Sequence, residues 1–140
     1  MRAYFDDVPG VGGLKLDYVL YYDNEPSQFI LRDANNSLYF AILGHIDEMK
    51  IYVLCPISFE SLLKLVEGTT NFMELFKDSE DRLLYIRKIR GLLPSLFQKN
   101  NVRLSEVSLP TIRSSWMSDS LEMEAFKKHY QSDINHLKNN

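Results

Sequence analysis

Cysteine and histidine are scarce in this sequence, and their scarcity removes two classes of structural explanation. The single cysteine, Cys55, excludes an intrachain disulfide. The three histidines, His45, His129 and His136, have no spacing that resembles a zinc site. His129 and His136 are seven residues apart, and solvent-facing side chains are the simpler interpretation of that spacing. We therefore expect neither a structural metal nor a cofactor.

Long apolar runs are also missing. No run approaches the roughly 20 apolar residues that span a bilayer. The first residues, MRAYFDDVPGVGG, lack the apolar segment that a signal peptide requires. These absences predict a cytoplasmic protein that has no membrane partner.

The length and composition are those of one globular domain. A chain of 140 residues can bury a single core but is short for two independent ones. Hydrophobic residues make up 45% and charged residues 25%, which argues against a disordered chain. We predict one domain over residues 1–140.

Charge is distributed unevenly along the chain, although the net charge is only −3. Residues 1–81 contain 6 basic and 14 acidic side chains. Residues 82–113 contain 7 basic side chains against Glu106 alone. The sequence therefore has a basic block, residues 82–113, that follows a strongly acidic N-terminal part.

The first half of the chain has the pattern of a β-meander. LKLDYVLYY (14–22) alternates with the period of a strand that buries one face, with Leu14, Leu16, Tyr18, Leu20 and Tyr22 on one side. Further strands are predicted at 27–34, 37–43 and 50–57, with hairpin turns near 23–26 and 34–36. We place Pro26 in the first turn, because proline has no N–H for a strand ladder.

Helical patterns follow the fourth strand. Residues 58–68 have Ser58 as an N-cap and Gly68 as a C-terminal stop, and Asn71 and Glu74 have the spacing of a second capping box. LLYIRKI (83–89) predicts a fifth strand, and residues 91–117 fit either a short helix or irregular structure. A terminal helix of about five turns is expected to bury a stripe of apolar residues: Leu121, Phe126, Tyr130, Ile134 and Leu137.

The predicted fold class is α+β, with a mainly antiparallel sheet of about five strands. Two short helices follow strand four, and an amphipathic helix ends the chain. Residues 12–89 resemble a bacterial family that is catalogued only as a domain of unknown function. The resemblance lies in a tyrosine-tyrosine-aspartate turn, a Pro-x-Ser start of a Leu-rich helix, a glycine and a small acidic loop: Tyr21–Asp23, Pro56–Ser58, Gly68 and Ser79–Asp81. It implies a bacterial or phage origin and a compact α+β domain, and it brings no known activity or functional residue.

Two groups of residues invite a catalytic interpretation. Asp23 and Glu25 could form an acid pair for glycoside hydrolysis or for a divalent ion, but aspartate and asparagine are also typical turn residues. Cys55, Ser58 and His45 contain a nucleophile and a base, but Cys55 lies in an apolar run and Ser58 is a predicted cap. The structural interpretation is the simpler one in both cases.

A third candidate is the glycine-rich segment VPGVGG (8–13). It matches neither nucleotide-binding spacing, GxGxxG or GxxxxGK[ST], and it precedes a strand. We interpret it as a flexible loop that leads into that strand.

The remaining hypothesis is a protein contact. The sequence contains 8 tyrosines, 8 phenylalanines and 5 methionines, and such side chains anchor binding surfaces as well as cores. We predict a partner contact through the basic block and the tyrosines of the first hairpin: Arg87, Lys88, Arg90, Arg103, Tyr21 and Tyr22. Nucleic acid is the weaker alternative for the basic block, because the chain as a whole is acidic and has no recognised nucleic-acid motif.

We therefore predict a non-catalytic accessory or adaptor subunit of a bacterial multi-protein system, with antiviral defence as one candidate system. Its partner would be a larger protein such as an ATPase, a nuclease or a toxin. Two alternatives stay open: an immunity or antitoxin protein that covers a toxin, and a small enzyme or small-ligand sensor.

Overall fold

The computed structural model describes residues 3–8, 11–46, 49–79, 82–88, 95–97 and 120–138. Seven strands within these ranges form one sheet in which each strand lies beside its neighbours in sequence. The strands are β1 (Ala3–Val8), β2 (Gly12–Asp23), β3 (Glu25–Asp33), β4 (Leu38–Ile46), β5 (Met49–Ile57), β6 (Leu84–Lys88) and β7 (Ser95–Phe97). The helices are α1 (Phe59–Glu67), α2 (Phe72–Asp78) and α3 (Ser120–Lys138). The predicted α+β class, with a mainly antiparallel sheet and a C-terminal helix, is confirmed.

The sheet in the described residues has two strands more than the sequence pattern indicates, one at each edge. β1 contains two adjacent aspartates, Asp6 and Asp7, which interrupt the apolar alternation of a strand. β7 is three residues long, too short for a periodic pattern, and it shows that residues 95–97 are extended and not helical. The rest of the uncertain segment 91–117 lies outside the described residues.

The chain forms two compact units, which are described separately. The first contains the sheet and comprises Met1–Pro56 and Ser79–Thr111. The second contains the three helices and comprises Ile57–Asp78 and Ile112–Asn140. The prediction of a single domain stays a prediction.

The core of the sheet unit is aromatic and aliphatic. Consecutive residues are buried in each central strand, at 27–31, 40–44 and 51–55, so these strands bury both faces. One cluster of buried residues draws on strands β1 to β6: Phe5, Leu14, Phe29, Leu31, Ala41, Leu43, Tyr52, Leu54 and Ile86. The central strands are therefore the most enclosed part of this unit.

β2 does not keep the strict alternation that its sequence suggests. Two extra residues, Asp17 and Leu20, stand in β2 where the pairing with β3 shifts register. Each bulge reverses the faces of the residues that follow it, so the alternation is displaced between the two bulges and restored after the second. Leu14 is fully buried as predicted, whereas Tyr22, which the alternation places on the same face, is 64% exposed. The guanidinium of Arg32 donates two hydrogen bonds to the carboxylate of Asp17, at 2.9 and 3.2 Å, beside the first bulge.

The hairpin turns are close to their predicted positions. Asp33 closes the second turn, because its Oδ1 accepts the backbone N–H groups of Asn35 and Ser37, each at 2.9 Å. The glycine-rich segment 8–13 connects β1 to β2, since Val8 and Gly12 are register partners. Gly12 has φ +87°, a conformation that glycine adopts without steric cost. The segment is thus part of a hairpin, and not a leading loop before the first strand.

The helical unit follows its predicted caps closely. The Ser58 hydroxyl accepts the N–H of Ser61 at 3.1 Å, and Gly68 ends α1 with φ 77°. The side-chain oxygen of Asn71 accepts the N–H of Glu74 at 2.9 Å at the start of α2. These contacts satisfy backbone groups that helix ends leave without intrahelical partners.

The helices of this unit pack through aromatic side chains. α1 packs against α3. Phe72 of α2 meets Phe126 of α3 edge-on, with ring centroids 6.0 Å apart. Phe126, Tyr130 and Ile134 are buried on α3 as predicted, but Leu121 is 81% exposed. Leu121 stands five residues before Phe126, which turns it about 140° away from the stripe. The side chain of Leu137 lies outside the described residues.

Candidate functional site

The β2–β3 hairpin closes through a very tight turn. Asp23 and Glu25 are register partners, and Asn24 between them has φ 60°, which asparagine tolerates better than most residues. Tyr22 pairs with Pro26, so Pro26 lies in β3 and not in the turn, contrary to the sequence prediction. The neighbouring register shift makes this position acceptable, because the ladder is already interrupted at a bulge.

This end of the hairpin, residues 21–26, is here called the tyrosine tip. Tyr21 is 43% exposed and Tyr22 is 64% exposed, and the nearby Val19 is 38% exposed. Five large hydrophobic side chains are exposed in the described part of the chain, and three of them fall within this stretch of β2. Phe59 and Leu121 are the other two. The exposed apolar surface is therefore concentrated at one place in the sheet unit.

Two hydrogen-bonded contacts connect the tyrosine tip to strand β5. The Nζ of Lys50 lies 2.6 Å from Oε2 of Glu25, and the Tyr52 hydroxyl donates to Oε1 of Glu25 at 3.4 Å. Strand β4 stands between β3 and β5 in the sheet, so these contacts cross one strand. The charged side chains are about one third exposed, at 36% for Lys50 and 34% for Glu25. Glu25 is thus more than a turn residue, because it connects the tip to the sheet.

The Tyr52 hydroxyl is the buried end of this network. Burial raises the pKa of Tyr52 far above its ordinary value, and the phenol of Tyr4 and the carboxylate of Glu25 raise it further. Tyr4 forms a side-chain hydrogen bond with Tyr52, and burial raises the pKa of Tyr4 as well. Both phenols therefore stay neutral donors at physiological pH, and neither has the properties of a general base.

An aromatic cluster packs around Tyr52 and Tyr4, which belong to this hydrogen-bond network. The Tyr52 ring meets Phe5 and Phe29 with centroids 4.9 and 6.1 Å apart, both in edge-on geometry. The Tyr4 ring meets Phe29 at 5.3 Å in the same manner. Phe5 and Phe29 are fully buried. The residues that hold the tip are therefore fixed by the core of the sheet unit.

Part of the predicted cationic surface lies at the same end of the sheet. Lys88 is the register partner of Lys50, the residue that binds Glu25. Arg87 is exposed and is the register partner of Ile51. Consecutive residues of a strand point to opposite faces, so Arg87 shares the face of Ile51, opposite to the face of Lys50. The side chain of Lys88 and all of Arg90 and Arg103 lie outside the described residues.

The possible nucleophile and base are not brought together. Cys55 is fully buried near the far end of β5, and burial raises the pKa of its thiol, although Ser79 and Arg82 oppose that effect. His45 is exposed and is the second-last residue of β4. Ser58 caps α1. A thiol with a raised pKa and a distant histidine do not form a nucleophile pair.

Glu25, one member of the acid pair at the turn, forms an ion pair. Glu25 binds Lys50, and within the described residues no group of three or more Asp, Glu, His or Cys side chains could hold a metal ion. The side chain of Asp23 is not among those described. Along α3, Glu124, Ala125, Lys127, Lys128 and Gln131 line an open depression of about 520 Å³. All five belong to one helix, so this is a helix flank and not a pocket with convergent polar groups.

Three residues of the site were missed by sequence reasoning: Tyr4, Lys50 and Tyr52. Glu25 and Lys50 are 25 residues apart, and no local pattern relates them. The alternation of β5 does place Lys50, Tyr52 and Leu54 on one face, which is a signal that this face becomes polar towards the start of the strand.

No family model matches this chain, and neither a curated protein nor a solved structure matches it. The resemblance of residues 12–89 to a bacterial family therefore stays a prediction. None of the helices among the described residues is long and apolar enough to cross a bilayer.

Proposed function

We propose that this protein is a protein-binding module that contacts its partner through the tyrosine tip. The observation that carries the proposal is the concentration of exposed Val19, Tyr21 and Tyr22 in one stretch of β2. Tyrosine is enriched at protein interfaces, because its ring supplies a large contact area and its hydroxyl a hydrogen bond.

The construction of the tip favours an interface over a chance exposure. Single exposed apolar residues are ordinary on a protein surface. Here the turn is tight at Asn24, and Glu25 is bound to Lys50 and Tyr52 on a buried strand. A rigid anchor loses little conformational entropy when it binds, so more of its contact energy appears as affinity.

Charge supports a protein partner that has an acidic patch. Arg87 is exposed in β6, beside Lys88, whose register partner Lys50 contacts the tip. The basic block of residues 82–113 would speed the encounter with an acidic surface, and the tyrosines would stabilise the complex after contact. The wider setting is part of the same proposal: a cytoplasmic accessory or adaptor subunit of a bacterial multi-protein system, such as an antiviral defence system.

Site-specific photo-crosslinking in cells of the source organism tests the proposal. A photoreactive phenylalanine analogue replaces Tyr21 or Tyr22 in the test variants, and Phe59 or Leu121 in the matched controls. Among the described residues, these controls are the exposed large hydrophobic side chains that lie outside β2. We expect one protein to crosslink at both tip positions and at neither control position.

The identity of the crosslinked species separates the alternatives. An ATPase or nuclease subunit supports the adaptor role, and a toxin supports an immunity or antitoxin role. Equal crosslinking at tip and control positions, or none at the tip, contradicts the proposed site. Crosslinks to nucleic acid in place of protein would replace the proposal with the nucleic-acid alternative.

A further inference from the structure

The tyrosine tip extends beyond the part of β3 that is in register with β4. That register runs from Gln28 opposite Ile42 to Arg32 opposite Leu38. The residue pairs of β2 and β3 continue past Gln28 to Asp23 opposite Glu25. The tip therefore lies beyond the last register pair of β3 with β4, although β4 itself continues to Ile46 and stands between β3 and β5.

A bulge lies at the base of the tip. Tyr21 pairs with Gln28 and Tyr22 pairs with Pro26, which leaves Ser27 as the extra residue in β3. A bulge interrupts the ladder and bends the strand locally. Ser27 thus marks the position about which the tip would move relative to the central strands.

We propose that the contacts of Glu25 with Lys50 and Tyr52 form a latch that fixes the tyrosine tip to β5, and that opening this latch releases the tip as a unit. The latch joins the first residue of β3 to the second residue of β5, across β4. It is the kind of contact that can close and open, because about one third of each charged side chain is exposed to solvent. Its purpose rests on the proposed function, since it would decide whether Tyr21 and Tyr22 are presented in a fixed arrangement.

Exposure also sets the strength of the latch. Partly exposed ion pairs contribute modestly to stability, and the Tyr52 bond of 3.4 Å is long. Loss of the latch should therefore change the local opening equilibrium of the tip by a small factor, while the core of the sheet unit stays folded. A modest contribution of this kind lets the latch open and close at equilibrium.

Amide hydrogen exchange tests the latch without a partner. We expect Glu25→Gln and Lys50→Met each to raise the exchange rates of the backbone amides in residues 21–28, apart from Pro26, which has none, by about 2- to 5-fold. The double variant should show no further increase, because each single change already opens the latch. Amides of Leu31 and Ala41 in the core should keep their wild-type rates.

Two further variants serve as controls. Lys50→Arg keeps the charge and should retain slow exchange in the tip. Lys64→Met removes the more exposed pair of Lys64 with Glu60 on α1, at 3.5 Å, and should leave the tip unchanged. Faster exchange at Leu31 and Ala41 in one single variant would mean that this substitution disturbs the core. The other single variant, compared with Lys50→Arg, would then test the latch.

Unchanged exchange in the tip of either single variant, or additive effects in the double variant, would overturn the latch. This result is independent of the crosslinking experiment. If hydrogen exchange supports the latch but no partner crosslinks, the proposed function is rejected and the latch stands. If a partner crosslinks but exchange in the tip is unchanged, the latch is rejected and the proposed function stands.

Discussion

The ammonium group of Lys50 lies 2.6 Å from the carboxylate of Glu25, although the two residues belong to strands that are separated by β4. This contact joins the exposed tyrosine tip to a strand whose central residues are buried. The tyrosine tip is therefore supported by the core through Glu25, and not through its two tyrosines.

Replacement of both tip tyrosines by serine should separate binding from folding. Tyr21 and Tyr22 are exposed, so the free energy of unfolding of the double variant should stay within about 0.5 kcal/mol of wild type. Affinity for the crosslinked partner should fall by at least about tenfold, the effect of losing a central aromatic anchor. Urea unfolding and a binding titration measure the two quantities, with Leu121→Ser as the control. A large loss of stability would mean that the tyrosines serve the fold.

Removal of a helix-capping residue should lower the free energy of unfolding of the helical unit. Ser58→Ala and Asn71→Ala each remove a side-chain acceptor from a helix start, and each should cost about 1 kcal/mol. Gly68→Ala should cost about as much, because φ 77° is unfavourable for alanine. Denaturant unfolding measures the stability of all three variants. An unchanged midpoint for Ser58→Ala would contradict the cap.

The buried phenol of Tyr52 should make the protein sensitive to alkali. The folded pKa of Tyr52 lies above its unfolded value of about 10, so above that pH the unfolded chain releases a proton that the native protein retains. Stability is thus complete below about pH 10 and decreases as pH rises, by up to about 1.4 kcal/mol per pH unit for this phenol. Urea unfolding between about pH 9 and 11 should show a shallower decrease for Tyr52→Phe than for wild type. Equal slopes for wild type and Tyr52→Phe would rule out the assignment.

Charge reversal in the basic block should change the rate of association. Replacing Arg87, Lys88 and Arg90 by glutamate should slow association with an acidic partner and weaken its dependence on salt. The exposed Lys128 on α3 provides a control, Lys128→Glu. Stopped-flow association at several salt concentrations measures the effect, beside a salt titration with single- and double-stranded DNA and RNA. Nucleic-acid binding that disappears on reversal, with no effect on protein association, would reject the acidic partner.

Local rules predicted much of this fold because its local signals agree. The Ser58 cap, the Gly68 stop and the Asn71 cap each depend on a few neighbouring residues, and each is present in the structure. The turn near 34–36 likewise depends on nearby groups, with Asp33 as the acceptor. These contacts join residues that are only two to four positions apart, so a local sequence pattern can predict them.

The tyrosine tip shows why the rest was not predictable. Register in β2 depends on the bulges at Asp17 and Leu20, which arise from pairing with another strand. Each bulge reverses the faces of the residues that follow it, so the two bulges together return Tyr22 to the face of Leu14. Tyr22 is nevertheless exposed, because it lies beyond the last register pair of β3 with β4. The bond between Glu25 and Lys50 likewise exists only after three strands have assembled.

The sequential order of the sheet has a consequence for the kinetics of folding. Strands β1 to β5 follow one another through short connections, whereas β5 and β6 are separated by residues 58–83, which include α1 and α2. Closing the longer segment costs more chain entropy before its contacts form. We expect the transition state to contain the β3–β4 pairing and to lack the β5–β6 pairing. Ile42→Val should then give a φ-value of about 0.5 or more and Ile86→Val a value below about 0.3, and the reverse order would place the nucleus around the helical insertion.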